Sequence, residues 1–171
     1  MRATILILSL FIFTLISCNK VTDIHIPNCD GLITDTTFID TVVGGIHQYP
    51  ITIPNVFTPD GNAIKETWYI KNISQYPDAV VNIYDNQAQL VYHAAGNYLE
   101  NPWDGTFNGQ VLPVGTYYYG IQLITIGGHH LGYCGKLYIF RSCLPAGIDT
   151  ASLYFGGDPN APNEDPVTGC R

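Results

Sequence analysis

Short apolar runs, separated by residues that favour turns, dominate the chain from residue 50 to residue 141. Residues 51–57 read as a strand, and Thr58, Pro59, Asp60, Gly61 and Asn62 then supply the chemistry of a turn. Residues 67–71 read as a second strand, 79–84 as a third and 89–93 as a fourth, with residues 85–88 between the last two as a hairpin connection. A long fifth strand covers 115–125, Gly127 and Gly128 make a turn, and 131–141 form a sixth. Alternation is clearest in the last two strands. Tyr117, Tyr119, Ile121 and Leu123 share one face, and Leu131, Tyr133, Leu137 and Ile139 share the matching face of the next strand. Cys134 and Lys136 fall on the opposite, outer face, so any bridge from Cys134 must reach over the outside of the sheet. No ten-residue stretch carries a helical period. The expectation is an all-β protein, an antiparallel β-sandwich of about six or seven strands.

The ends differ from this body. Met1 and Arg2 precede an apolar run over residues 5–16, and LISC follows at 15–18. The run is too short to anchor stably across a bilayer core of about 30 Å. Small Ser17 before Cys18 fits cleavage ahead of a cysteine that already carries diacylglycerol on its sulfur. The organisation expected is therefore a lipoprotein signal at 1–17, a lipidated tether at 18–49 with room for an edge strand, a domain at 50–141, and an extension at 142–171. Acyl chains on Cys18, and not a helix, would hold the mature protein to a membrane. NKVT at 19–22 has no acidic run, which leaves the face of the membrane unassigned. Residues 152–155 have the apolar content for a brief pairing. Residues 156–169 are rich in Pro, Asn, Asp and Gly and read as irregular.

Composition agrees with strands: 17 Gly, 11 Pro, 12 Tyr and 7 Phe, with a single Met at the start. The formal charge is −7, and without Arg2 six basic residues face 14 acidic ones. Phosphate backbones repel such a chain, and no basic stripe with interleaved aromatics is present, so nucleic acid is excluded as a partner. With Cys18 lipidated, Cys29, Cys134, Cys143 and Cys170 remain, an even number suited to two disulfides in an oxidising compartment. Cys134 and Cys143 are nine positions apart on extended chain, too far for the roughly 7 Å limit between bridged Cα atoms. Cys29–Cys134 with Cys143–Cys170, or Cys29–Cys143 with Cys134–Cys170, are the pairings left. The first also pins the tail. No C-x-x-C spacing favours a metal instead.

Candidate chemistry is sparse. Asp60, Asn62 and Glu66 have partial calcium-loop spacing, but a turn with Asx hydrogen bonds explains them more simply. His129 and His130 sit at a hairpin tip without further ligands indicated. Glu100 and Asp104 are the carboxylates closest to an acid–base pair, although Asp104 reads as part of a turn. No G-x-S-x-G is present. Tyr118, with Tyr138 on the neighbouring outer face, is a candidate aromatic patch for a partner or glycan, set against plain sheet packing. The expectation is a non-enzymatic protein with no metal and no cofactor beyond covalent lipid.

Six motifs occur in series: IPNVFTPDGN at 53–62, TWYI at 67–70, VNIY at 81–84, QLVY at 89–92, NPWDGTFNG at 101–109 and LPVGTYYY at 112–119. Together they resemble the gliding-motility-associated C-terminal domain of Bacteroidota, the type B sorting domain of type IX secretion. The resemblance covers roughly residues 50–141 and implies an immunoglobulin-like sandwich that directs export across the outer membrane with a partner β-barrel. Three departures stand out. DGNAIKE at 60–66 replaces the family's DGNGIND, Gln87 and Ala88 replace its Trp-Gly hairpin, and about 30 residues follow Arg141 where members normally stop. A sorting module placed directly on a lipoprotein signal is expected to be the working part itself. That makes a lipid-anchored accessory subunit, docked on an outer-membrane complex tied to type IX secretion or gliding. The rivals are a secretion substrate that still uses the domain for export, and a surface adhesin or glycan-binding module.

Overall fold

The computed structural model describes residues 41–141 together with residues 153, 154 and 156. The signal, Cys18, Cys29, Cys143, Cys170 and most of the tether and extension lie outside the described residues. Nine strands follow in chain order: β1 (Thr41–Val43), β2 (Ile46–Gln48), β3 (Val56–Phe57), β4 (Val80–Tyr84), β5 (Leu90–Ala95), β6 (Thr106–Phe107), β7 (Gln110–Val111), β8 (Gly115–Ile124) and β9 (His130–Ile139). Five make one sheet in the order β3-β9-β8-β4-β5, while β1–β2 and β6–β7 are separate hairpins.

The long β8–β9 hairpin is the spine. Its antiparallel register runs from Gly115 opposite Ile139 to Ile124 opposite His130, which puts Tyr117, Ile121 and Leu123 beside Leu137, Tyr133 and Leu131 as the alternation requires. β4 pairs antiparallel with β8 on one side and β5 on the other. One pairing departs from expectation: β3 runs parallel to β9, with Val56 opposite Tyr138 and Phe57 opposite Ile139. The sheet is therefore mixed, not purely antiparallel. Alternation reveals that a strand exists but not which way it runs, because the long connection between β3 and β9 decides the direction.

Residues 67–71 also depart from expectation. Only Lys71 pairs as a strand would, in an isolated antiparallel bridge to Thr52. The Trp68 backbone N–H donates to the Trp103 carbonyl at 2.8 Å, and its indole Nε1–H donates to the Pro54 carbonyl at 2.7 Å. Irregular chain thus takes the donors that a ladder would use, and in return Trp68 is wholly buried. This irregular layer packs Trp68, Ile70, Ile73, Tyr76, Tyr98 and Trp103 against Val81, Ile83, Tyr117, Ile121, Leu137 and Ile139 of the sheet. The sandwich is one continuous sheet closed by short paired segments. Each such aliphatic or aromatic side chain contributes about 1.5–3 kcal/mol by leaving water.

Candidate interaction faces

The outer side of the main sheet is the first candidate. Register puts Tyr84 opposite Tyr118 and Tyr118 opposite Lys136, with Thr116 opposite Tyr138, so Tyr118 and Tyr138 are diagonal neighbours. Both are half-buried, not exposed. Around them Val56, Tyr84 and Phe140 are buried, and the Tyr138 and Phe140 rings stack at 6.3 Å with planes 7° apart. This face is a covered surface with two tyrosines at its margin. Cys134 lies on it opposite Gly120, as the alternation requires. The cysteines considered as its partners lie outside the described residues. At the β3 edge, the Asn55 N–H donates to the Tyr154 carbonyl at 2.9 Å, and the Tyr154 N–H donates to Asn55 Oδ1 at 2.6 Å. The brief pairing anticipated for 152–155 is present at Tyr154.

The loop at 60–66 is the second. Asp60 Oδ1 accepts from the Asn62 N–H at 3.1 Å, Asn62 Oδ1 from the Ile64 N–H at 2.7 Å, and Glu66 Oε1 from the Ala63 N–H at 3.0 Å. Ala63 and Lys65 have φ of 68° and 51°, which turns backbone donors inward. The three side chains considered for calcium are thus occupied by their own loop, in the Asx arrangement. Among the described residues no group of three His, Cys, Asp or Glu is placed to hold a metal ion. Asp104 is likewise engaged, its Oδ1 accepting from the Thr106 N–H at 2.9 Å and hydroxyl at 2.7 Å. Trp103 caps this end of the core as its position beside a turn implies, 5.4 Å from the rings of Phe57 and Tyr117. Arg141 seals the same end by donating to the Leu112 and Gly105 carbonyls, the latter at 3.0 Å.

The opposite end holds the last part of what the sequence reads as a tether with room for an edge strand. The β1–β2 hairpin is fixed to the body by Gln48, whose Nε2 donates to the Gln75 carbonyl and whose Oε1 accepts from the Ile126 N–H, both at 2.9 Å. Gly44 and Gly45 after the β-branched run at 41–43 were the available signal for a hairpin. His129 and His130 lie beside it, exposed at the β8–β9 turn, where the His129 N–H donates to Thr125 Oγ1 at 3.0 Å.

Sheet, closed faces and looped-in carboxylates together define a small all-β module. The family described as CHU_C, type IX secretion signal domain, matches residues 51–139, and the chain belongs to it. Membership ties the protein to type IX secretion. No curated protein matches the chain. Among solved structures it is similar to the crystal structure of CopC from Methylosinus trichosporium OB3b, at 13% identity and a TM-score of 0.35 over 54% of this chain and 90% of that one.

Proposed function

We propose that this protein is a lipid-anchored, non-enzymatic binding subunit at the outer membrane, docked on an outer-membrane protein complex linked to type IX secretion or gliding. The observation that carries it is the placement of a type IX secretion signal domain at 51–139 a tether's length after a lipoprotein-type pattern at 1–17 that precedes Cys18. Acyl chains on Cys18 would confine the domain to the membrane plane and raise its effective concentration for a membrane partner. A disulfide from Cys134, as the cysteine count anticipates, would suit an extracytoplasmic, oxidising compartment. A second reading is favoured by the family description itself: the domain serves as the export signal of a secreted or cell-surface protein.

One experiment separates them. The mature protein is purified from membranes and its first peptide weighed, alongside a Cys18→Ser variant and a variant lacking residues 50–141. In the anchored reading the peptide carries diacylglycerol on Cys18, Cys18→Ser leaves the membrane fraction, and the truncated form stays lipidated but no longer co-purifies with its complex. An unmodified first peptide overturns the anchor. Surface appearance that is lost only with residues 50–141 gives the protein to the export reading.

A further inference from the structure

The end of the molecule formed by the β1–β2 hairpin and the β8–β9 turn is the one apolar surface the described residues leave open on two adjacent tips. Ile46 is 66% exposed, Val43 45%, Tyr49 52% and Ile126 41%, with Val42 and Ile124 beside them. The bond from the Ile126 N–H to Gln48 Oε1 joins the hairpin to the β8–β9 turn, and the bond from Gln48 Nε2 ties it to the Gln75 carbonyl, so the two tips sit side by side. The Tyr49 N–H adds a bond to Gln75 Oε1 at 2.8 Å, and Tyr76 donates its hydroxyl to the Tyr49 carbonyl at 2.8 Å.

Charge is distributed against this end. Residues 41–49 and 117–135 contain no Asp, Glu, Lys or Arg, in a chain that has 14 acidic and 7 basic residues. Asp60, Glu66, Asp85 and Asp104 belong to the far end, where Gly115 and Ile139 pair and Arg141 closes the core. Among the described residues Lys71 pairs with Thr52 and Asp78 precedes β4, and in sequence Asp40 directly precedes the hairpin. The His47 and Tyr49 rings stack at 6.3 Å on the same hairpin, and aromatic rings with a polar atom suit the boundary between lipid headgroups and acyl chains. Finally, the chain that leads from Cys18 enters the body at Thr41, the first residue of this hairpin.

We infer that this end is a membrane-contacting surface, with Val43, Ile46, Tyr49 and Ile126 seated in the headgroup region of the bilayer that holds the anchor. The inference takes its geometry from the lipid-anchor reading above. The tether of residues 19–40 extends to about 70 Å at most, long enough to let the body float free, so seating needs the apolar tips and not the anchor alone. Exposed aliphatic and aromatic side chains without charge gain by entering that boundary, whereas the acidic far end is best kept in water.

The test uses the acylated full-length mature protein on phosphatidylcholine vesicles, with acylation confirmed by mass spectrometry. Hydrogen exchange is followed in peptides covering 42–49 and 124–131. A second protein carries Ile46→Asp and Ile126→Asp, both at exposed positions, so that its melting temperature and circular dichroism should match the wild type. Exchange at the two tips is expected to slow at least about fivefold on vesicles relative to the Cys18→Ser chain in buffer, and the doubly substituted protein should show no slowing. Equal exchange in an acylated, vesicle-bound protein overturns the inference and leaves the anchor standing. Protection that appears only when other membrane proteins are present also overturns it, in favour of a protein occupant. If Cys18 proves unmodified, the anchor reading falls, and sedimentation with the same vesicles decides the surface by itself. The unacylated wild type should then pellet about tenfold more than the doubly substituted protein, and equal pelleting sinks the inference.

Discussion

Ala63, Lys65 and Ala88 hold left-handed torsions, with φ of 68°, 51° and 61°. In that region Cβ crowds the following carbonyl, at a cost of about 1–2 kcal/mol for an L-residue. The strain persists because each turn is over-determined by its neighbours. At Ala88 the Asp85 carbonyl accepts the Ala88 N–H at 3.1 Å, while Asp85 Oδ1 accepts the Gln87 and Gln89 N–H groups at 2.8 and 2.9 Å. Two of these positions, Ala63 and Ala88, are those where the resembled family carries glycine, and this chain holds a positive φ at both. Glycine would remove the crowding and lose part of that gain to the entropy of the unfolded chain. Ala88→Gly and Ala63→Gly should therefore each raise unfolding stability by about 0.5–1 kcal/mol, seen as a higher urea midpoint at unchanged slope. A lower midpoint for either would mean that the alanine methyl group makes a contact worth more than the strain.

Between strands, the tightest constraint is a tyrosine laid across a glycine. Tyr119 on β8 faces Gly135 on β9, and a Cβ built there would lie 2.6 Å from the Tyr119 hydroxyl oxygen and 2.8 Å from Cε1. The same ring tilts against Trp68 at 5.2 Å, so it joins the two layers. Gly135→Ala must push the ring away and should cost about 1–3 kcal/mol with a change in near-ultraviolet circular dichroism. Gly127→Ala, where the nearest atom is 3.3 Å away on exposed His129, serves as the control and should change stability by less than about 0.5 kcal/mol. Equal effects from the two would sink the account. The long strands were legible in sequence because ten alternating positions specify a face, and both faces of β8 and β9 formed as read. Hairpins such as β6–β7, with two residues a side, fall below any period and show only as Asn108 and Gly109 between them. Residues 67–71 misled because Trp, Tyr and Ile favour strands, whereas here tertiary burial of Trp68 overrides the ladder. Asp60, Asn62 and Glu66 accept from N–H groups of their own loop, since short side-chain acceptors meet their own loop donors first.

Four tyrosine hydroxyls donate to backbone carbonyls, two of them across about 30 residues of chain, and through them stability acquires a dependence on alkaline pH. Tyr76 donates to the Tyr49 carbonyl at 2.8 Å, Tyr92 to Asn101 at 2.6 Å, Tyr98 to Trp68 at 2.6 Å and Tyr117 to Pro113 at 2.8 Å. Burial, aided by Tyr133, pushes the Tyr76 phenol up to about 12. Burial, aided by the Asp104 carboxylate, does the same for Tyr92, also to about 12. Tyr98 is held well above its ordinary value by burial first and by Tyr92 second, outweighing the lowering by the Trp103 N–H. A phenolate would lose its donor proton and face a carbonyl oxygen, so the folded state keeps these groups protonated where the unfolded chain releases protons near pH 10. Folded phenols with raised values bind more protons than unfolded ones, so the linkage has one sign: their contribution is complete below pH 10 and is lost as pH climbs from 10 toward 12. The urea midpoint should be flat below pH 10 and fall steeply above it, with tyrosinate absorbance from these rings rising only as the fold is lost. Tyr92→Phe isolates the effect. That variant loses the bond to Asn101 and is less stable at neutral pH, but its midpoint should fall less steeply with alkali than the wild type's. Parallel curves for the two proteins, or full tyrosine titration near pH 10 with the far-ultraviolet spectrum intact, would show that these hydroxyls do not hold the loops together.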